Sequence, residues 1–131
     1  MCNILVTGSN GQLGNEIRQL AQKSKINTYY FTDVHELDIT DLSAIRTFIL
    51  KQEIKVVINC AAYTNVEKAE DNYAEANKIN NEAAKNLALA CKEMEAFLIH
   101  VSTDYVFQGN GNLPYKENDA KDPIGVYGKL N

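Results

Sequence analysis

Apolar and polar positions follow two alternating rhythms along the chain. Residues 3–7 (NILVT) form a short β-branched run that ends in glycines, and from Gly11 to Gln22 the apolar positions Leu13, Ile17 and Leu20 fall at helical spacing. That predicts strand, turn, helix. Tyr29, Tyr30 and Phe31 read as a second strand ending at Asp33, and Thr40 and Asp41 precede Leu42, Ile45, Phe48 and Ile49 as an N-cap before an amphipathic helix. Val56 to Asn59 is nearly all apolar, as expected of a parallel strand covered by helices on both faces. A long helical stretch from about Tyr73 to Met94 follows, and residues 96–102 (AFLIHVS) supply a fourth strand. Such alternation predicts right-handed βαβ crossovers and an open, doubly wound parallel sheet of the Rossmann-like α/β class.

After Ser102 the pattern gives way to turn residues: Gly109, Asn110, Gly111, Asn112 and Pro114, then Asn118, Asp119 and Pro123. A long loop is predicted there. It leaves the carboxyl end of a strand, where open α/β sheets bind their ligands.

Length and charge narrow the class. At 131 residues the chain is sized for one domain. A net charge of −4 excludes the basic footprint of a nucleic-acid binder. The longest apolar runs are strand-sized, well short of the ~20 residues that cross a bilayer, and a predicted strand begins almost at Met1, so neither a membrane span nor a signal peptide is expected. Three cysteines, Cys2, Cys60 and Cys91, form neither an even set nor a CxxC pair, which points to cytoplasmic thiols rather than disulfides or a zinc site.

Candidate chemistry begins at TGSNGQLG, Thr7 to Gly14, with glycines at 8, 11 and 14 between the first strand and the first helix. Bare glycine backbone permits the tight turn and lets amides approach a pyrophosphate, while the helix amino end favours its charge. The alternative is a glycine-rich turn with no ligand. Asp33 closes the second strand roughly 20 residues beyond the last glycine, where a carboxylate bonds a ribose 2′-hydroxyl and repels a 2′-phosphate. The two arginines, Arg18 and Arg46, do not follow that strand, so NADH is favoured over NADPH.

Thr103, just after the fourth strand, offers a hydroxyl at the sheet's carboxyl edge, and Tyr127 offers a phenol. A lysine one turn beyond a tyrosine would favour its phenolate and let it exchange a proton with a carbonyl oxygen as hydride arrives. Here the fourth residue beyond Tyr127 is Asn131, while Lys129 projects from another side of a helix. Taken alone, Tyr127 reads as a partly buried loop aromatic and Thr103 as a strand-end hydrogen-bonding residue.

Together, TGSNGQLG (7–14), LDIT (37–40), INCAAYTNVEKAE (58–70), INNEAAKNLALAC (79–91), VSTDYVFQG (101–109) and PYKENDAKDPIGVYGK (114–129) resemble the extended short-chain dehydrogenases/reductases, and within them the dTDP-4-dehydrorhamnose reductase family. The resemblance covers the whole chain. It implies that Gly8, Gly11, Gln12 and Leu13 cradle the pyrophosphate of NADH or NADPH, that Asp33, Asp38 and Ile39 lie near adenosine, and that Ala61, Ala62 and Tyr63 line the cofactor cleft. It also implies Thr103 as the catalytic hydroxyl, Tyr127 as the proton donor, and Asp104 and Tyr105 beside a nucleotide sugar whose 4-keto group is reduced. Glu16 matches a carboxylate implicated in magnesium binding in some members, but no metal is expected here. Glu67 stands where the family usually has Asp.

In that family Tyr-Gly-x-x-Lys continues into a long helix and a carboxyl-terminal region that builds much of the sugar pocket, and the lysine falls on Asn131. Residues 1–131 are therefore expected to form an incomplete dinucleotide-binding domain, a truncated sheet without the substrate region, inactive as it stands. Apolar surface should be left open, with a homodimer as the candidate assembly. Two alternatives stay open: a non-catalytic NAD(P)-binding subunit like that of methionine adenosyltransferase, and a nucleotide-sugar epimerase or dehydratase.

Overall fold

A computed structural model describes residues 1–131. Four strands, β1 (Asn3–Thr7), β2 (Thr28–Phe31), β3 (Ile54–Asn59) and β4 (Phe97–His100), form one sheet in the order β2-β1-β3-β4. All three pairings are parallel. The chain therefore winds outward from β1 in one direction and then in the other, as the alternation predicts.

Helices cover both faces. Adjacent residues of β2 show it: Tyr30 meets Phe48 edge-on, at 6.0 Å between ring centres, while Phe31 faces the other way and lies 4.9 Å beneath the guanidinium of Arg18. Phe48 belongs to helix α2 (Leu42–Lys51) and Arg18 to helix α1 (Gln12–Lys23). Helix α2 starts as its sequence predicts, with the Asp41 carboxylate accepting from the N–H of Ala44 at 3.1 Å.

Most of the core sits on the α2 side. Leu5 and Val57 of the sheet pack with Ile45 and Ile49 of α2 and with Leu87, Ala90 and Cys91 of helix α5 (Ala83–Glu93). The opposite face is covered unevenly. Val6 is fully buried there, but Phe97 and Ile99, on the same face across β3, are 78% and 52% exposed.

The long helix expected from Tyr73 to Met94 is in fact three pieces: α4 (Tyr73–Asn77), a π-helical turn (Lys78–Glu82) and α5. A short helix α3 (Val66–Asp71), absent from the sequence reading, precedes them. It is capped by Asn65, whose side chain accepts from the N–H of Lys68 at 2.9 Å. The fourth strand is shorter than the expected 96–102, ending at His100. A 3₁₀ turn (Asp104–Val106) lies within the predicted loop, and helix α6 (Val126–Leu130), which carries Tyr127, follows it as one short turn of helix.

Candidate active site at the carboxyl edge of the sheet

β1 and β3 are neighbours, but the chain leaves them toward opposite ends of the sheet, and a crevice opens between their carboxyl ends. Two cavities meet in it. One, of about 440 Å³, is lined by Gly8, Gly11, Asp33, Asp38, Ile39, Cys60, Ala61 and Ala62, together with Glu75 and Ile79. The other, of about 460 Å³, shares Gly11, Cys60, Ala61 and Ala62 and extends past Gln12, Leu13 and Thr64 to Tyr127 and Asn131. The shared residues make the two halves one trough, running from the end of β2 to α6.

The glycine turn forms one wall. Gly8 holds φ +61°, and a Cβ there would run into the backbone of Cys60 and Ala61. Gly11 opens α1, and no side chain caps the helix there. First-turn N–H groups are thus left for a ligand, the arrangement that receives a pyrophosphate. Ser9 is buried beneath the turn, its N–H donating to the carbonyl of Thr32 at 3.0 Å and its hydroxyl accepting from Arg18 Nη2 at 2.9 Å.

Carboxylates line the far end of the first cavity. Asp38 Oδ1 accepts from the hydroxyl of Thr40 at 2.6 Å and from its N–H at 2.9 Å. The Thr40 hydroxyl, helped by that N–H, holds the Asp38 carboxyl below the usual carboxylate range. Both arginines are engaged elsewhere: Arg18 with Ser9 and Phe31, Arg46 with Glu93 at 2.6 Å.

Two asparagines that the sequence reading passed over build the opposite wall. Asn59, 2% exposed, uses Oδ1 to accept from the Thr7 hydroxyl at 2.7 Å and from the N–H of Ala61 at 3.1 Å, while its Nδ2 lies 3.1 Å from His100 Nδ1. It thereby joins β1, β3 and β4 and turns the chain into the Ala61–Ala62 wall. Asn80 clasps the backbone of Tyr63 on both sides of its Cα, accepting from its N–H at 2.7 Å and donating to its carbonyl at 3.0 Å. Each is a polar residue on an otherwise apolar stripe, and that was the available signal.

The remaining candidates divide. Tyr127 lines the trough with Asn131, whose Nδ2 donates to the Tyr127 carbonyl at 2.7 Å. Thr103 lines neither half; its hydroxyl accepts from the N–H of Tyr105 at 3.2 Å and lies 3.3 Å from Asp104 Oδ1, so it caps the 3₁₀ turn. Tyr63, expected to line the cleft, lines neither half although Ala62 and Thr64 on either side of it do; it packs, like Val126 and Tyr127, against Ala69, Ala76 and Leu130. Asp104 and Tyr105 line a separate cavity of about 270 Å³ with Phe107 and Ile124. The Tyr105 ring nonetheless meets Tyr127 edge-on at 5.4 Å. No group of three or more His, Cys, Asp or Glu side chains is placed to hold a metal, and no helix is long and apolar enough to cross a membrane.

The family model for the RmlD substrate-binding domain matches residues 2–130. The chain belongs to the RmlD substrate-binding-domain family. A dTDP-4-dehydrorhamnose reductase of Streptomyces griseus is 42% identical over 124 residues, which is 95% of this chain and 40% of that protein. Among solved structures, a dTDP-4-dehydrorhamnose reductase from Clostridium acetobutylicum is 46% identical with a TM-score of 0.92, covering 98% of this chain and 45% of that one. A dTDP-4-dehydrorhamnose reductase from Bacillus anthracis, in complex with NADP, is 37% identical with a TM-score of 0.90, covering 98% and 46%. The RmlD-family chain thus spans less than half the length of these relatives.

Proposed function

We propose that residues 1–131 are the dinucleotide-binding part of a dTDP-4-dehydrorhamnose reductase, which reduces the 4-keto group of dTDP-6-deoxy-L-lyxo-4-hexulose to dTDP-L-rhamnose. The observation that carries this is the single trough joining the glycine turn and Asp33 to Tyr127. A bound NADH or NADPH would supply the hydride there. The uncapped start of α1 would hold its pyrophosphate, with Asp33 and Asp38 on the adenosine side. Tyr127 would give the proton to the carbonyl oxygen; Thr103, whose hydroxyl caps the 3₁₀ turn outside the trough, would have to turn from that bond to hold the oxygen, and Asp104 and Tyr105, in the neighbouring cavity, would face the sugar.

Sequence identity to named reductases supports this assignment over an epimerase or dehydratase. A cytoplasmic setting, a nucleotide-sugar ligand and a homodimer belong to the same proposal. Asn131 carries no cation one turn beyond Tyr127, so weak dinucleotide binding without turnover is expected of residues 1–131. The same residue favours a second reading, a non-catalytic dinucleotide-binding subunit.

Calorimetric titration with NADH and NADPH tests the site: heat of binding from either supports it, and none from both overturns it. Following NADH absorbance after adding the keto-sugar nucleotide to a longer form that carries the sugar region separates the two readings. Oxidation sustains the reductase, and binding without oxidation sustains the subunit.

A further inference from the structure

Ser9, buried in the glycine turn, is gripped by its neighbours on several sides. Its N–H donates to the carbonyl of Thr32 at 3.0 Å, and its hydroxyl accepts from Arg18 Nη2 at 2.9 Å. Its backbone also lies so close to Gly14 that a Cβ on that glycine would run into it. Gly14 and Arg18 are one turn apart on α1 and share a face, and helical side chains lean toward the amino end. The bare glycine therefore lets the helix settle on Ser9, and the arginine one turn later reaches back to the hydroxyl.

Arg18 brings a charge that nothing beside it cancels. The ion pair in the structure joins Arg46 to Glu93, and no carboxylate oxygen comes within 4.0 Å of the Arg18 guanidinium. A guanidinium has five N–H donors. Here one goes to Ser9, and Nε is buried without a hydrogen-bond partner. Phe31 closes the other side, its ring centre 4.9 Å from the guanidinium carbon. The ring face attracts the cation without neutralising it.

Charges withdrawn from water are ordinarily paired, because leaving them alone is costly. Arg18 lines neither half of the trough, so it acts from behind the turn rather than by touching a ligand. Across a partly dry interior a charge is felt more strongly than across solvent. We propose that Arg18 is a positioning residue for the phosphates of the dinucleotide: tied to the glycine turn through Ser9, it places beneath that turn a positive charge that adds to the amino end of α1. The role rests on the trough being a dinucleotide site.

The signature of such a charge is that it favours ligands by their phosphates. Arg18→Met keeps an apolar stem against Phe31 and removes both the charge and the Ser9 bond. Arg18→Gln removes the charge and keeps an N–H donor, and Arg18→Lys keeps the charge. Affinities for NADH, ADP and adenosine are measured on each variant and on the unaltered chain by NMR titration, which also reads weak binding.

The expected result is about fivefold weaker binding of NADH and ADP by Arg18→Met and Arg18→Gln, with adenosine unchanged, so that the ratio of ADP to adenosine affinity falls. Arg18→Lys should restore most of that ratio. Should Arg18→Met fail to fold, Arg18→Gln decides. An equal loss for all three ligands would make Arg18 a brace for the fold and overturn the charge role. Unchanged NADH and ADP affinity in the folded neutral variants, or a lysine variant that behaves like them, overturns it too. Absence of NADH binding by the unaltered chain overturns the trough assignment and this role with it.

Discussion

The N–H of Asn10 donates to Asp33 Oδ2 across 3.1 Å, so the carboxylate that follows β2 also holds the glycine turn in place. Its other oxygen accepts from the N–H of Val34 at 2.8 Å. Asp33 thus has a structural task in addition to the proposed ribose contact. Asp33→Ala loses both, and NADH affinity should fall about tenfold while the turn loosens. Asp33→Asn keeps an oxygen for Asn10 but no charge, so affinity for NADPH should rise relative to NADH as repulsion of the 2′-phosphate disappears. Parallel calorimetric titrations with the two dinucleotides read the ratio; an unchanged ratio would place the carboxylate away from the ribose.

Gly8 is tied to its position by conformation and by space. At φ +61° a side chain costs ~1–2 kcal/mol in local strain. An added methyl would also meet the backbone of Cys60 and Ala61, which cannot swing aside as a side chain can. Gly8→Ala is therefore expected to destabilise the fold by about 3 kcal/mol and to weaken dinucleotide binding, with denaturant unfolding as the measurement. Gly111 provides the control, since nothing lies within 4 Å of a Cβ there. Gly111→Ala should stay within about 0.5 kcal/mol of the unaltered chain.

Cys60 lines both halves of the trough, and burial pushes its thiol up from the usual range. A raised thiol holds less reactive thiolate at any given pH. Alkylation of Cys60 should consequently be slow near neutral pH and climb only as pH rises past the usual thiol range. NADH should slow it further by covering the site. Cys2, whose N–H donates to Asn27 Oδ1 at 3.0 Å away from the trough, should label at a rate indifferent to NADH. Mass spectrometry of the labelled peptides compares the two, and Cys60 labelling unaffected by saturating NADH would put the dinucleotide elsewhere.

Where sequence and structure agree, local rules sufficed. Strand and helix rhythms placed β1, α1, α2 and β3 within a few residues, and Asp41 marked the start of α2 because an N-cap bond reaches only three residues ahead. The glycines and Asp33 were legible for a similar reason, since each sits where a strand ends. What escaped notice depends on partners distant in sequence. Asn80 answers to a peptide 17 residues earlier, and Asn59 to Thr7 and His100 on flanking strands. The π-helical turn adds one residue to a helix and leaves no trace in an apolar pattern that still reads 76, 80, 83, 87. Helix α3 (VEKAED) offers too few apolar positions for periodicity to show. Of the two candidate catalytic residues, Tyr127 reaches the trough, while the Thr103 hydroxyl is occupied at the 3₁₀ turn.

Phe97 stands beside Val56, and Ile99 beside Ile58, on the sheet face that α1 leaves open. They are 78% and 52% exposed, and β4 is the outermost strand on their side of the sheet. An apolar face that borders an unpaired strand edge favours association in two ways, through burial of surface and through added strand pairing. Residues 1–131 should therefore self-associate as concentration rises and bind a hydrophobic dye. Phe97→Lys should shift the chain toward monomer, since a lysine on the edge strand opposes both routes. The fold itself should tolerate the change to within about 0.5 kcal/mol, because its core lies on the α2–α5 face, opposite Phe97. Sedimentation velocity and thermal melting separate these effects: a variant that melts early would assign Phe97 to the interior, and one that associates as strongly as the unaltered chain would move the contact to another surface.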